Sequence, residues 1–441
     1  MKTRFWLAGF IGILTAAWAW DALYVHLMTG ELPWLLRQHG LYLTGLLSIG
    51  LFSLTMILAV RPAWLEGPLG GMDKIYRLHK WSGILAIVFA AAHWLTEMAG
   101  DPLKEIYGKA GRPAKEAVFF LLQPLRSEAK DLGEFAIYVL LAMLVIALWK
   151  RFPYRPWRLL HKAMPVLYLM VAFHAAALMP AAYWSGPTGL IQVALLAGGS
   201  VAAAIALTQR IGRGRRHTGR ITSVTERGDV LEVVCDPGPT WTGHRAGQFA
   251  FVTFDRQEGA HPFTIASAPI PGSRLITFQI KALGDYTAKL ARRLHVDQPV
   301  RVEGPYGRLD WQLGRQGAAQ VWVAGGIGVT PFLAWLESMR DAPVNVPVTM
   351  HYCVKDASTD AFVERMRALC AGLPNVRLYV HDASRGDRLD AEGVLAQGVA
   401  DAGQMDLWFC GPVGFAKNLE AGLRRVLGRS LRMHREAFDM R

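Results

Sequence analysis

Long apolar runs dominate the chain as far as Gln209, and shorter, more polar segments follow. Six runs are long enough, or nearly so, to cross about 30 Å of hydrocarbon as helices. Their approximate bounds are 5–25, 41–60, 76–98, 133–149, 160–180 and 188–208. Asp21 interrupts the first run, which also has the basic start and small-residue end typical of a cleaved signal peptide. Both interpretations of that run stay open, and residues 1–209 are predicted to form a six-helix transmembrane bundle.

The soluble half follows a basic, glycine-rich linker at 210–217. Short β-type segments separated by turns predict a small antiparallel β-barrel over 218–312. These segments are Val230–Val234, Gln248–Phe254, Leu275–Ile280 and Val300–Val302. From 318 to 441 strands and helices alternate, which predicts an α/β, Rossmann-like nucleotide-binding domain. Its predicted elements are Gln320–Ala324, a helix from Pro331, Val348–Cys353, a helix near Ala361–Ala371, Val376–Val380 and Leu407–Cys410.

Composition excludes several classes of protein. Hydrophobic residues make up 52% and charged residues 19%, a balance that rules out disorder. The net charge of +13 arises largely from Lys and Arg at the ends of apolar runs, so we expect no nucleic-acid partner. This bias predicts a multi-pass protein of a bacterial-type inner membrane, with its N-terminus and soluble half cytoplasmic. All four cysteines lie in the soluble half without a C-x-x-C pair, which agrees with a reducing compartment.

Four histidines lie within the predicted spans and form two sets. His79 and His93 are 14 residues apart on the third span, and His161 and His174 are 13 apart on the fifth. At about 1.5 Å per residue, members of a set lie roughly 20 Å apart along the axis. Two helices therefore offer one imidazole pair near each membrane face, as two bis-histidine b-type haems require. A 13-residue step leaves an offset of about 140°, so we expect Pro165 to kink or unwind the fifth span.

Other interpretations of these histidines remain. Each could be a neutral imidazole hydrogen bonded between helices. A single zinc ion is disfavoured, because ligands about 20 Å apart along a helix cannot share one ion.

A glycine-rich turn, Ala324-Gly325-Gly326-Ile327-Gly328-Val329-Thr330-Pro331, follows a predicted strand and opens a predicted helix. Backbone amides at such a turn approach a pyrophosphate closely, and the helix N-terminus favours its negative charge. Thr330 is predicted as the N-cap and Pro331 as the first helical residue. Lys355 follows the next strand and could meet a 2′-phosphate, which favours NADPH over NADH.

Together these features resemble the ferric reductase and NADPH oxidase superfamily, in which a six-helix dihaem domain precedes a ferredoxin-reductase-like flavin domain. The resemblance covers nearly the whole chain and includes both histidine spacings. It assigns contacts with FAD to His261, Pro262, Phe263, Thr264, Ser267, Lys281, Gly284, Thr287, Gly304 and Tyr306. It assigns the nicotinamide nucleotide to Gly325, Gly326, Gly328, Thr330, Pro331, Cys410, Gly411 and Pro412.

Individual roles follow from the same resemblance. Phe263 would pack on the isoalloxazine, and the Thr264 hydroxyl would bond near its reactive nitrogen. Phe438 would cover the flavin until nicotinamide displaces it, and Cys410 would lie at the nicotinamide. Structural alternatives are that Phe263 is barrel core, Cys410 is a small buried residue and Phe438 is frayed.

The resemblance implies an NAD(P)H oxidase or ferric-chelate reductase that passes electrons through FAD and two haems to an outer acceptor. Family oxidases carry a further histidine one turn beyond the outer haem ligand, where this chain has Glu97. That departure weakens the expectation of superoxide formation. Two alternatives are an electron relay for a periplasmic protein and a non-redox membrane protein with a vestigial flavin domain.

Overall fold

The computed structural model describes residues 2–25, 28–114, 116–149, 151–255, 258–284, 286–342, 345–397 and 403–435. The chain divides into two compact units, the first formed by residues 1–69 and 74–211 and the second by residues 70–73 and 212–441. Each unit is described separately below.

Helices make up the first unit. They are α1 (Lys2–Trp20), α2 (Leu32–Ala59), α3 (Ala63–Leu69), α4 (Met72–Met98), α5 (Gly100–Tyr107), α6 (Arg126–Leu148), α7 (Tyr154–His161), α8 (Met164–Leu178) and α9 (Pro187–Leu207). Six helical stretches of the described residues are long and apolar enough to cross a membrane. They run over Thr3–Val25, Leu32–Ala59, Met72–Tyr107, Gln123–Leu148, Pro156–Leu178 and Pro187–Leu207. The prediction of six spans is thereby confirmed.

Helix α2 begins nine residues before the predicted span. Pro33 lies in its first turn, a position that requires no amide donor. The cation of Arg37 does not end the helix, because it lies 2.7 Å from Oε2 of Glu97 and is buried. Helix α6 likewise begins seven residues before the predicted span, at Arg126.

Asp21, which interrupts the first apolar run, is fully buried at a short π-helical turn, Asp21–Val25. Its Oδ2 accepts a hydrogen bond of 2.8 Å from the backbone amide of Thr188, in the first turn of α9. The positive end of the α9 dipole stabilises a carboxylate there. Asp21 thus ties the end of the first span to the start of the last.

The fifth span is broken, where a kinked helix was predicted. Helix α7 ends at His161, and α8 begins at Met164 with Pro165 in its first turn. Because proline lacks an amide and restricts the residue before it, the α7 hydrogen-bond ladder cannot continue through this point. Because the helix is broken, the 140° offset expected for a 13-residue step along one continuous helix no longer applies to His161 and His174.

An antiparallel sheet forms the first half of the second unit. Its strands are β1 (Arg216–Arg227), β2 (Val230–Asp236), β3 (Phe249–Thr253), β4 (His261–Thr264), β5 (Ile276–Lys281) and β6 (Pro299–Tyr306), in the order β4-β3-β6-β1-β2-β5. Strand β1 starts within the predicted linker and pairs with β2 through the turn Gly228-Asp229, where Gly228 has a φ of +61°. The barrel core is apolar and includes Val233, Val252, Phe278 and Val302.

A parallel sheet forms the second half. Its elements are β7 (Ala319–Gly325), α10 (Thr330–Asp341), β8 (Val348–Val354), α11 (Val363–Ala371), β9 (Val376–Asp382), α12 (Ala391–Ala396), β10 (Met405–Cys410), α13 (Val413–Leu427) and β11 (Leu431–Arg435). The strand order is β11-β10-β7-β8-β9. The central strands β7 and β10 are apolar and buried because helices cover both faces. The six-helix bundle, antiparallel barrel and Rossmann-like domain agree with the predicted fold class.

Contacts between side chains join the barrel to the α/β domain. The Arg365 guanidinium lies 3.3 Å from Oε2 of Glu232 on β2 and 2.6 Å from Oε1 of Glu337 on α10. The indole of Trp335 donates to the carbonyl of Ala246 at 3.1 Å. These links hold the two halves of the second unit as one body.

Candidate functional site

The four membrane histidines come together in the two predicted pairs. The ring centres of His79 and His161 are 6.2 Å apart, with the ring planes at 80°. Those of His93 and His174 are also 6.2 Å apart, at 88°. Helix α4 supplies one member of each pair, and the broken α7–α8 segment supplies the other.

Backbone carbonyls of neighbouring helices fix three of the four rings. Nδ1 of His79 lies 3.0 Å from the carbonyl oxygen of Thr55. His93 and His174 make the same contact with Leu41, at 2.9 Å, and Ala129, at 2.7 Å. Because a carbonyl only accepts, Nδ1 carries the proton and Nε2 keeps a free lone pair. Metal-binding imidazoles in proteins are held in this way.

Two glycines make room for the rings of His93 and His174. Gly45 lies four residues after Leu41 on α2, and Gly133 lies four residues after Ala129 on α6. A Cβ on Gly45 would lie 3.0 Å from His93 Nδ1, and one on Gly133 would overlap His174 Nδ1. Each ring therefore reaches its carbonyl across a glycine one helical turn further on.

A metal ion held by both imidazoles of a pair would fit these separations. If the two ring nitrogens faced each other across an ion with bonds of about 2.0 Å, and each nitrogen lay about 1.1 Å from its ring centre, the two centres would lie about 6.2 Å apart. Both observed separations are 6.2 Å. No cluster of three or more His, Cys, Asp or Glu capable of holding a metal occurs among the described residues. Two-ligand haem iron suits the pairs better than a protein-only metal site.

An ion pair lies one helical turn beyond His93 on α4. Glu97 follows His93 by four residues on α4, and Arg37 precedes Leu41 by four residues on α2. The guanidinium donates to Oε2 of Glu97 at 2.7 Å and to its backbone oxygen at 2.9 Å. The arginine is buried, whereas the Glu97 side chain is 52% exposed. Sequence reasoning singled out Glu97 but missed Arg37, which is 60 residues away.

In the barrel, the predicted flavin segment forms the edge strand β4. The His261 ring stacks on Tyr286 at 4.2 Å and 18°, and both rings are partly exposed. Phe263 lies 6.3 Å from Phe278 and packs on the barrel core, with one part of its ring still accessible. Thr264 is half-buried at the end of the strand. His261, Pro262, Phe263 and Thr264 thus lie on one edge of the sheet.

Other predicted flavin residues make contacts within the protein. Lys281 pairs with Asp229 at 2.9 Å, and the Thr287 hydroxyl bonds the backbone of Gly284. The Ser267 hydroxyl accepts from the amide of Thr277 at 3.1 Å. These side chains hold the turns around β5.

Tyr306, a further predicted flavin residue, is buried. It is 1% exposed, and its hydroxyl donates to Oε1 of Glu303 at 2.9 Å. Arg215 covers its ring at 4.9 Å. Tyr306 packs on the rings of Phe249 and Phe251. The sheet register places Tyr306 and Thr264 on either side of Phe249.

The two glycine motifs of the α/β domain meet at the carboxyl ends of β7 and β10. Cys410 lies beside Ala324 in the parallel register, and a Cβ on Gly411 would lie 3.0 Å from the amide nitrogen of Gly325. A Cβ on Gly328 would overlap the carbonyl oxygen of Cys410. Gly326 has a φ of +54° and open space beside it. Helices α10 and α13 both begin here, so their N-termini favour an anion at this edge.

The start of α10 differs from the prediction by one residue. Val329 is the N-cap, and the turn Gly326–Val329 precedes it. The Thr330 hydroxyl donates to the carbonyl of Ile327 at 3.1 Å and is therefore part of the first turn. Pro331 is consequently the second helical residue instead of the predicted first.

Burial favours the protonated form of three of the four thiols. Burial raises the pKa of Cys235 and Cys353 to about 12, and that of Cys370 to about 11. Cys410 is 2% exposed behind the glycine motifs. Phe438 lies outside the described residues.

Two cations lie at the carboxyl ends of β8 and β9. Lys355 is exposed, and its carbonyl accepts the amide of Ser384 at 2.9 Å, which brings the two turns together. Arg385, in the second turn, has an 83% exposed side chain. The carboxylate of Asp382 bonds the amides of Ala357 and Ser384 and so closes both turns. Sequence reasoning missed Arg385, because nothing in the sequence places it beside Lys355.

Family and sequence comparisons agree with this architecture. Residues 44–172 match the ferric reductase like transmembrane component family, and residues 220–310 match an FAD-binding domain family. A vanillate O-demethylase oxidoreductase of Pseudomonas putida is 31% identical over 34% of this chain and 44% of its own length. Ferric reduction oxidase 7 of Arabidopsis thaliana is 37% identical over 18% of this chain and 13% of its own. NADPH oxidase 1 of Rattus norvegicus is 39% identical over 18% and 14%.

These matches define a membrane-spanning protein with a flavin-binding reductase module. The chain spans less than half the length of each of these curated relatives. The two domain matches, with ferric reduction oxidase 7 and NADPH oxidase 1 among the similar proteins, confirm the predicted resemblance to the ferric reductase and NADPH oxidase superfamily.

Proposed function

We propose that this chain is a transmembrane oxidoreductase that takes electrons from NADPH in its soluble unit and delivers them to an acceptor across the membrane. The two imidazole pairs, each with ring centres 6.2 Å apart, are the observation that carries this proposal. A haem at each pair would supply a one-electron carrier. His79 with His161, and His93 with His174, would hold the two groups.

The soluble unit contributes the binding of nucleotide and flavin. Amides around Gly325–Gly328 and the N-termini of α10 and α13 would receive the pyrophosphate of the nucleotide. Lys355 and Arg385 would receive a 2′-phosphate, which supports NADPH as the donor. A bound FAD accepts hydride and releases electrons singly. The β4 edge from His261 to Thr264 would hold its ring system, with Phe263 against one face.

Charge bias supports the orientation. Basic residues concentrate in the loop at 61–80, in the loop at 150–162 and after Gln209. Following the positive-inside rule, these segments and the soluble unit would face the cytoplasm. The pair His79–His161 would then lie toward the cytoplasmic side, and His93–His174 toward the outer side.

The acceptor would be a small molecule on the outer side, either oxygen or a ferric chelate. Glu97 and Arg37 neutralise each other at the position where family oxidases carry a histidine. This ion pair supports ferric chelate over oxygen. An electron relay to a periplasmic protein is the alternative, and its mark would be turnover only when that protein is added.

The test is NADPH-driven reduction of cytochrome c by the purified, FAD-supplemented chain, with and without superoxide dismutase. Reduction that survives dismutase, together with rapid reduction of ferric chelate, is the expected result. Loss of the signal with dismutase would instead identify oxygen as the acceptor. The His93→Ala variant serves as the control, because it should keep flavin reduction and lose delivery of electrons. Full delivery in that variant would refute the proposed route.

A further inference from the structure

His161 differs from the other three imidazoles in what fixes its ring. The Nδ1 atoms of the other three lie 2.7–3.0 Å from backbone carbonyl oxygens. Within the described ranges, no carbonyl oxygen accepts a hydrogen bond from His161. Its ring instead stacks on the indole of Trp157, with centres 5.0 Å apart and planes at 16°.

The chain path explains this difference. Trp157 and His161 are four residues apart on α7, so their side chains share one face of that helix. Helix α7 has eight residues and ends at His161, and the amides of Lys162 and Ala163 close the turn on carbonyls of α7 itself. The ligand thus lies at a helix end, where its nearest support comes from its own turn rather than from a neighbouring helix.

Glycine positions separate the two pairs of rings rather than setting His161 apart. Gly45 lies directly against the ring of His93, and Gly133 against that of His174. Among the described glycines, none lies against His79 or His161 in this way, yet His79 reaches the carbonyl of Thr55. The carbonyl contact, and not the glycine, is therefore what distinguishes His161 from His79.

We propose that Trp157 is the positioning residue of His161, and that His161 is the most weakly held of the four haem ligands. This inference rests on the proposed function. A stacked indole fixes the plane of the imidazole through ring contact. The indole accepts no hydrogen bond from Nδ1 of His161. It therefore does not raise the basicity of the imidazole as a backbone carbonyl does. His161 should therefore exchange with external ligands before the other three.

The experiment compares full-length Trp157→Leu, Trp157→Phe and wild-type protein, reduced with dithionite and exposed to carbon monoxide. Two axial imidazoles block carbon monoxide, whereas a released imidazole opens one position on the iron. We expect Trp157→Leu to bind carbon monoxide at one of its two haems and to hold that haem about 10–100-fold more weakly. Trp157→Phe keeps an aromatic face and should match the wild type. Trp64→Leu is the matched control, because Trp64 is 72% exposed.

A second measurement needs no variant. Titration of the oxidised wild-type protein with cyanide should change the spectrum of one haem well before that of the other. The inference is overturned if both haems respond together, or if Trp157→Leu excludes carbon monoxide as the wild type does. Wild-type protein that carries FAD but no haem would refute the proposed function itself. The FAD content of each variant reports whether the soluble unit is folded.

Discussion

Replacement of Gly133 by alanine should remove the haem at the His93–His174 pair while leaving the other pair intact. A Cβ at this position would overlap Nδ1 and Cε1 of the His174 ring and would lie 3.0 Å from its Cγ. Since carbon atoms prefer contacts of about 3.5–4.0 Å, the ring would have to move by about 1 Å. A metal–nitrogen bond tolerates about 0.2 Å. The displacement therefore exceeds what coordination allows.

The structure offers graded controls for the same chemical change. A Cβ on Gly45 would lie 3.0 Å from His93 Nδ1, so the neighbouring ring would yield by a few tenths of an ångström. One on Gly83, in helix α4, would lie 3.5 Å from Cγ2 of Thr55, an ordinary contact. Gly45→Ala should accordingly keep both haems with a shifted midpoint potential. Gly83→Ala should behave as the wild type.

The assay is the ratio of haem to FAD in purified full-length protein, combined with a spectroelectrochemical titration. Wild type should contain two haems per FAD and show two reduction steps. Gly133→Ala should contain one haem per FAD and show one step. Two haems with unchanged potentials in Gly133→Ala would contradict the assignment of His174 as a ligand.

Further predictions concern the soluble unit. Replacing Lys355 and Arg385 together by serine should raise KM for NADPH about tenfold and leave KM for NADH unchanged, because a charge-assisted contact to the 2′-phosphate is lost. Equal effects on both nucleotides would count against a role of these two cations in binding the 2′-phosphate. Arg315→Met should destabilise the unit by about 3 kcal/mol, since it removes the guanidinium that lies 2.8 Å from the fully buried Asp406 and leaves the more distant His434 imidazole, at 3.8 Å, beside that carboxylate. The midpoint of flavin release in urea measures this change, and an unchanged midpoint would contradict the reasoning. Burial lowers the pKa of His351 to about 4, so the unfolded chain takes up its proton first as the pH falls through about 6.5. Stability should therefore fall on acidification, and His351→Leu should reduce the loss between pH 7 and pH 5 by about 2 kcal/mol in the same assay; an identical pH slope in the variant would exclude His351 as a cause.

Much of the membrane unit follows from the sequence. Apolar length and the spacings of 14 and 13 residues predict the spans and the pairing of His79 with His161 and of His93 with His174. Proline chemistry predicts a disturbance at Pro165, although the sequence does not indicate that the helix stops at His161. The predicted starts of the helices are less accurate. A polar residue such as Arg37 ends an apolar run in the sequence, but it remains helical when a distant residue pairs with it.

The backbone carbonyls and glycines that hold the histidine rings could not be predicted from the sequence. A glycine in an apolar helix looks the same in the sequence whether it has open space beside it, as Gly9 does, or lies against an imidazole ring, as Gly133 does. The carbonyls of Leu41 and Ala129 carry no side-chain signature at all. Tertiary contacts decide these roles, and a single sequence does not contain them.

Strand β1 shows a related limit in the soluble unit. Its sequence, Arg216–Arg227, is largely polar and lies in a segment predicted to be partly linker. It is nevertheless strand because it pairs with β2 on one side and β6 on the other. Backbone pairing, rather than an alternating apolar pattern, defines it.

The helix contacts that hold the rings of His93 and His174 have a consequence for how the protein is made. The pair depends on four separate helices: α2 and α6 provide the carbonyls, and α4 and α8 provide the imidazoles. No shorter nascent chain can present all four, so the pocket exists only after the ribosome has passed the end of α8 at Leu178. Prosthetic-group loading at this pair is therefore a late event that follows insertion of at least four helices. A chain stalled before Met164 lacks His174 and should therefore emerge from the insertion machinery without a haem at this pair.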